Sequence, residues 1–174
     1  MLASFTEPTT KQDQFLQAYD KHADAIYRYC YFRVYQKQLA EDLVQDTFMR
    51  VWQYLAKGHQ VDSMKAFLYT TARNLIIDTK RKSKPQISIE ESEEHGSFLV
   101  DKDAQMIYDH LDAQIIYDVL HALTSEDQEL IILRYIEGYK PKEIAVLLGE
   151  TPNVISVRLH RAKKEFKTVC RPTV

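Results

Sequence analysis

The side chains best placed to touch another molecule are cationic, and they crowd between Thr151 and Lys167. Arg158, Arg161, Lys163, Lys164 and Lys167 stand there with His160, Asn153 and Ser156 among them. Between them Ile155, Leu159, Ala162 and Phe166 recur at helical spacing, which makes one apolar stripe on an otherwise polar helix. Thr151 can accept from the amides of the first turn, and Pro152 sits where a missing N–H costs nothing. A short basic helix, capped at its start and pinned along one side, fits a DNA major groove and its flanking phosphates.

Such a helix needs a support. Pro141 to Gly149 reads as one short helix ended by glycine, so residues 142–164 have the spacing of a helix-turn-helix. A plain helical hairpin has the same punctuation; the polar and basic outer face is what favours a groove reader. Upstream, Ile107, Leu111, Ile115, Val119 and Leu123 step by four, with Ile116 and Leu120 widening the stripe. A restart follows, with Ser125 read as its cap and Gln128 three residues on, and Gly138 ends it.

The first half of the chain is patterned the same way. Residues 12–35 carry Phe15, Leu16, Tyr19, Ala23, Ile26, Tyr27, Cys30 and Tyr31 at steps of three and four, an aromatic core stripe. A second helix over 40–55 turns Leu43, Val44, Thr47, Phe48, Val51 and Leu55 inward, with Trp52 beside the stripe. It shows Glu41, Asp42, Gln45, Asp46, Met49 and Arg50 on the other side. Gly58 breaks the pattern. A third helix over 64–82 then ends in Lys80-Arg81-Lys82-Ser83-Lys84, more positive charge than capping a helix dipole requires.

Composition fits an all-α fold of two small domains. Of 174 residues 45% are hydrophobic, enough for a core, and only four glycines and five prolines interrupt helix formers. The net charge of −2 conceals an asymmetry. Residues 1–84 hold 13 basic against 9 acidic side chains, residues 85–112 hold 1 against 8, and residues 113–174 hold 9 against 8. The expected domains are 12–84 and 103–170, joined by a flexible acidic linker over 85–102 that reaches at most about 60–65 Å when stretched. Six histidines and two distant cysteines, Cys30 and Cys170, fall in no catalytic or zinc spacing. The expectation is no enzyme, no cofactor, no metal and no membrane insertion, in a reduced cytoplasmic compartment.

Three stretches together resemble one family. Glu143-Ile-Ala-Val-Leu-Leu-Gly149 followed by Val157-Arg-Leu-His-Arg-Ala162 is similar to the promoter-reading C-terminal domain of bacterial sigma factors. Ala40-Glu-Asp-Leu-Val-Gln-Asp-Thr-Phe-Met-Arg-Val-Trp52 resembles their core-polymerase-binding helix. Phe67-Leu-Tyr-Thr-Thr-Ala-Arg-Asn-Leu-Ile-Ile-Asp-Thr-Lys80 resembles the helix that melts and reads the downstream, −10 element. Their order and the short linker look like the two-domain, extracytoplasmic-function type.

The resemblance implies partners and roles. Asp42, Gln45, Asp46 and Arg50 would meet the clamp helices of the core RNA polymerase largest subunit. Asn74 would hold a splayed −10 base, with His59 in the pocket loop of residues 58–63, and Arg73, Lys80, Arg81 and Lys82 would hold phosphates. Ser156, Val157, His160 and Arg161 would face bases of the upstream, −35 element, with Arg158, Lys163 and Lys164 on its phosphates. An anti-sigma factor is a common further partner in the family. Three positions depart from the family pattern: Gly58-His59 where an aromatic is frequent, Lys140 in place of a hydroxyl cap, and Glu150 in a usually apolar turn. Two rivals remain open: a free-standing helix-turn-helix regulator, which leaves the face from Asp42 to Arg50 unexplained, and a helical adaptor, which leaves the basic helix unexplained.

Overall fold

The computed structural model describes residues 10–82 and 110–170, and side chains in the second stretch from Ile116. Seven α-helices follow in order: α1 Lys11–Val34, α2 Lys37–Ala56, α3 Met64–Lys82, α4 His110–Ala122, α5 Ser125–Ile131, α6 Pro141–Leu148 and α7 Pro152–Val169. One π-helical turn, Ile132–Ile136, continues α5. No strand occurs among the described residues. The expected linker over 85–102, and the start of the expected helix from Asp103, lie outside them.

Local chemistry sets the ends. Thr10 and Asp13 form a reciprocal box at α1, with Asp13 N donating to Thr10 Oγ1 at 3.1 Å and Thr10 N to Asp13 Oδ2 at 3.2 Å. Tyr35 closes α1 in the left-handed region (φ 53°), its N–H donating to Tyr31 O. Ser63 Oγ accepts from Ala66 N at the head of α3. At α5 the cap is Thr124, which accepts from Asp127 N at 3.2 Å; the expected cap, Ser125, is instead the first helical residue. Adjacent hydroxyl residues compete for one role here, and the acidic residue three after Thr124 favours Thr124.

Packing follows the apolar stripes. In α1–α3, Ile26, Leu55, Leu68 and Ile76 are completely or nearly completely buried, and in α4–α7 so are Leu120, Leu130, Ile132, Ile144 and Ile155. Each such side chain contributes about 1.5–3 kcal/mol of transfer free energy. Trp52 is half-buried, its ring tilted against Phe15 at 5.3 Å. The buried residues of both halves form one continuous cluster, because α3 packs on α6 and α1 on the π-turn. The halves are therefore docked on each other rather than held apart.

Candidate nucleic-acid and polymerase interfaces

In the helix-turn-helix, Pro141 opens α6 and Glu143 Oε2 accepts from Lys140 N at 2.8 Å, which supplies the cap that Lys140 itself cannot. Gly149 then takes φ +67°, a backbone that favours glycine, and turns the chain. Thr151 Oγ1 accepts from Val154 N at α7, as its sequence position implied. Ile155, Leu159 and Ala162 are buried, and α7 packs on α5 and α6. That leaves Ser156, Val157, His160, Arg161, Lys163 and Lys164 exposed. Val157 is 54% exposed, and Val146 and Val154 also show apolar surface, as a face that meets thymine methyls would.

Arg158 departs from this group. It is half-buried, lies 2.9 Å from Glu126 Oε2 and 3.7 Å from Glu150 Oε1, and so ties α7 to the start of α5 and to the turn. Glu150, an unusual residue for that turn, gains a partner in this way.

On α3 the cations separate. Asn74, Arg81 and Lys82 are exposed, with Arg81 held loosely by Asp78 at 3.3 Å. Arg73 and Lys80 turn toward the C-terminal half instead. Arg73 Nε lies 3.1 Å from Glu129 Oε2, and Lys80 Nζ donates to Gln128 Oε1 at 3.4 Å. Burial, and then the charge of Arg33, push the Lys80 ammonium below its usual range.

His59 stacks on Tyr54 at 4.4 Å and 26°, and Tyr54 leans on Phe67 at 4.8 Å. Beside them a polar cleft of about 350 Å³ is lined by Thr10, Lys11, Gln14, His59, Gln60, Val61 and Asp62; Asn74 is not among its walls. Lys11 Nζ donates to Leu55 O at 3.0 Å, satisfying a carbonyl at the end of α2. Sequence reasoning missed Tyr54, Lys11 and Phe67. An aromatic four residues before Gly58 was the available signal for Tyr54; Lys11 comes from a distant helix and gave none.

Asp42, Gln45, Asp46 and Arg50 are all exposed along one side of α2, at steps of three and four. Next to them α1 and α2 leave an apolar groove of about 580 Å³, with Tyr19, Val44, Phe48 and Met49 in its walls. Tyr19 and Met49 are each about half exposed, Met49 as its place on the outer side of α2 implied and Tyr19 against its expected place in the core stripe. Among the described residues no cluster of His, Cys, Asp and Glu could hold a metal ion, and no helix is long and apolar enough to cross a membrane.

Comparison with known proteins bears on these two surfaces separately. Residues 18–86 match the family model for sigma-70 region 2, and residues 113–166 match that for sigma-70 region 4. The ECF RNA polymerase sigma factor SigL of Mycobacterium tuberculosis is 30% identical over 150 residues, covering 86% of this chain and 84% of that protein. The chain belongs to the ECF sigma factor family. Another relative, the ECF RNA polymerase sigma factor BldN of Streptomyces coelicolor, is 30% identical over 152 residues, but this sigma factor spans only 58% of its length. The fold matches the sigma factor RpoE solved with the anti-sigma factor NepR from Bartonella quintana, at TM-score 0.67 and 24% identity over 92% of this chain and 99% of that one. It also matches CnrH solved with the cytosolic domain of CnrY, at TM-score 0.66 and 22% identity over 91% and 88%. As an initiation factor, a sigma factor has no chemistry of its own; catalysis belongs to the polymerase.

Proposed function

We propose that this sigma factor binds core RNA polymerase through the exposed side of α2 and directs it to a two-part promoter, which it helps to open. The observation that carries the reading is α7: a helix pinned by Ile155, Leu159 and Ala162 presents Ser156, Val157, His160, Arg161 and Lys164 together to solvent. Arg161 suits a guanine edge and Val157 a thymine methyl in the −35 element. Arg158, held by Glu126 and Glu150, serves first to orient that helix.

At the −10 element, Asn74 is the candidate for the amide edge that recognises a splayed base, and Lys82, with Arg81 once it leaves Asp78, can hold phosphates. His59, backed by Tyr54, offers a stacking surface at the mouth of the adjacent cleft. On α2, Asp42, Gln45, Asp46 and Arg50 supply the polar rim of the polymerase contact, and Met49 with Tyr19 its apolar centre. Action beside polymerase supports a cytoplasmic location. The two structural neighbours were solved with anti-sigma partners, which supports the same kind of regulator here.

Run-off transcription with purified core polymerase on a randomised promoter library tests the function directly. Enrichment of paired −10 and −35 sequences is expected. DNA binding without polymerase, and no transcripts with it, would favour the free-standing regulator instead.

A further inference from the structure

We infer that Ile77 on α3 stabilises the fork of the opened promoter, its side chain covering the bare face of the last closed base pair. The inference rests on the reading of α3 as the −10 surface and deepens it. Leu75, Ile76 and Ile77 follow one another in the sequence, yet the fold parts them. Leu75 is 5% exposed and Ile76 fully buried, whereas Ile77 is 45% exposed. A single exposed apolar side chain is ordinary on a protein surface. What sets Ile77 apart is its company.

Thr70, Asn74, Ile77 and Arg81 are all exposed, and their steps of four, three and four place them in one stripe along α3. The stripe passes from an amide through an apolar side chain to a guanidinium. Arg81 is paired only loosely, with Asp78 at 3.3 Å, and Lys82 beside it is exposed. The two ends of α3 differ in character. Just before Met64 comes the loop in which His59 stacks on Tyr54 beside the polar cleft, a surface suited to an unpaired base. At the other end stand Lys80, Arg81 and Lys82, after which the chain runs on to the half that carries α7. Cations there suit the phosphates of upstream duplex. The boundary between unpaired and paired DNA therefore falls between Asn74 and Arg81, where Ile77 stands.

Helix geometry puts Ile77 about 4.5 Å beyond Asn74 along the axis, and Arg81 about 6 Å beyond Ile77. One base step is about 3.4 Å. A base drawn out to Asn74 leaves the adjoining pair with one face bare, and Ile77 is the next side chain along the stripe. Unstacking is the cost of opening at that step, and an apolar side chain in place of the lost neighbour offsets part of it. An isoleucine on a helix is held near one rotamer, so its apolar surface is presented ready-formed. The contact exists only once the base has left, so it acts on the opening equilibrium rather than on first encounter.

The test uses the full chain with core polymerase, at saturating holoenzyme, on a promoter enriched from the library. Permanganate reactivity of unpaired thymines reports opening of the duplex. Run-off transcription is compared on that duplex and on the same promoter made non-complementary across the −10 element. Ile77→Ala should lower the opening equilibrium constant about fivefold, the factor that accompanies partial exposure of three aliphatic carbons. Transcripts from the non-complementary template should stay at the parent's level, and so should the urea midpoint, because the site is exposed. Ile77→Leu, which keeps the apolar bulk, should restore opening. Normal opening by Ile77→Ala, an equal loss on both templates, or no restoration by Ile77→Leu overturns the inference. Asn74→Ala separates it from the reading beneath it. If that variant keeps its −10 preference, the assignment of α3 has failed and the inference with it. If it loses that preference while Ile77→Ala opens the duplex normally, the assignment stands and the fork contact alone is refuted.

Discussion

Neighbouring residues of α7 should give opposite phenotypes when truncated. Ile155 is fully buried, so Ile155→Ala removes methylene contacts and leaves a cavity, at a cost of about 2–5 kcal/mol in stability. Arg161 is exposed on the same helix, and no ion pair or hydrogen bond of its side chain occurs among the described contacts that anchor α7. Arg161→Ala should therefore change stability by no more than about 0.5 kcal/mol. Its effect belongs to recognition: a lost bidentate base contact removes about 1–3 kcal/mol of discrimination, or roughly 5- to 150-fold in promoter preference. Urea unfolding of both variants gives the first comparison. Run-off transcription from the preferred promoter and from one with a substituted −35 element gives the second. The reasoning is refuted if Arg161→Ala unfolds as early as Ile155→Ala, or if it still discriminates between the two promoters as the parent does.

Three more expectations follow from the same structure. Asp46→Arg reverses an exposed charge on α2 and should weaken core polymerase binding, chiefly by slowing association, while urea unfolding stays near the parent's; undiminished capture of core enzyme would contradict it. Cys30 is buried and its thiol is pushed up to about 12, whereas Cys170 is exposed, so a thiol reagent should label only Cys170 in the native protein and both in urea. His121 is held below 6.5 by burial and then by Lys80, against the opposing pull of Asp118. The unfolded chain therefore takes up that proton first: the contribution is intact above about pH 6.5 and lost as pH falls toward the lower folded value. His22 is lowered in the same sense by burial, Lys21 and Lys65. Urea midpoints should fall between about pH 7.5 and 5.5, and a fall just as steep in the His22→Gln, His121→Gln double variant would exclude these groups as the cause.

How far the sequence carried the fold depends on the range of the interaction. Helix spans follow from periodicity, which is a local property: α3 runs over Met64–Lys82 as the spacing implied, and α1 and α2 differ from expectation by a few residues at their ends. Thr151 was legible as a cap because no second hydroxyl competes beside it; at Thr124-Ser125 two compete, and the nearer-looking choice was Ser125. The π-turn at Ile132–Ile136 left no trace, since its apolar residues suit an α-helix equally well. The docking of the halves was invisible for a different reason. Its polar pairs lie 48 to 109 residues apart, and Arg33, Glu129 and Glu137 look like ordinary solvated charges until the fold brings them together.

The same limit decides which cations can serve as site residues. Arg158 and Arg161 are three apart on one helix, of one residue type, and both are plausible phosphate or base contacts by spacing. Burial separates them: Arg158 faces Glu126 and Glu150 and loses its freedom, while Arg161 faces solvent and keeps it. Arg73 and Asn74 divide in the same manner across a single peptide bond, one drawn to Glu129 and the other left exposed. A cation held by a carboxylate must give up that partner before it can bind a phosphate, so its contribution to DNA affinity is reduced by the strength of the internal pair. Arg161, Lys164 and Asn74 therefore stand ready, whereas Arg73 must first release Glu129, Lys80 Gln128 and, more loosely, Arg81 Asp78. Salt dependence should show it: releasing Arg73 by Glu129→Gln steepens the fall of oligonucleotide affinity with salt, because each newly engaged phosphate adds about 0.7 to the logarithmic slope on single-stranded DNA.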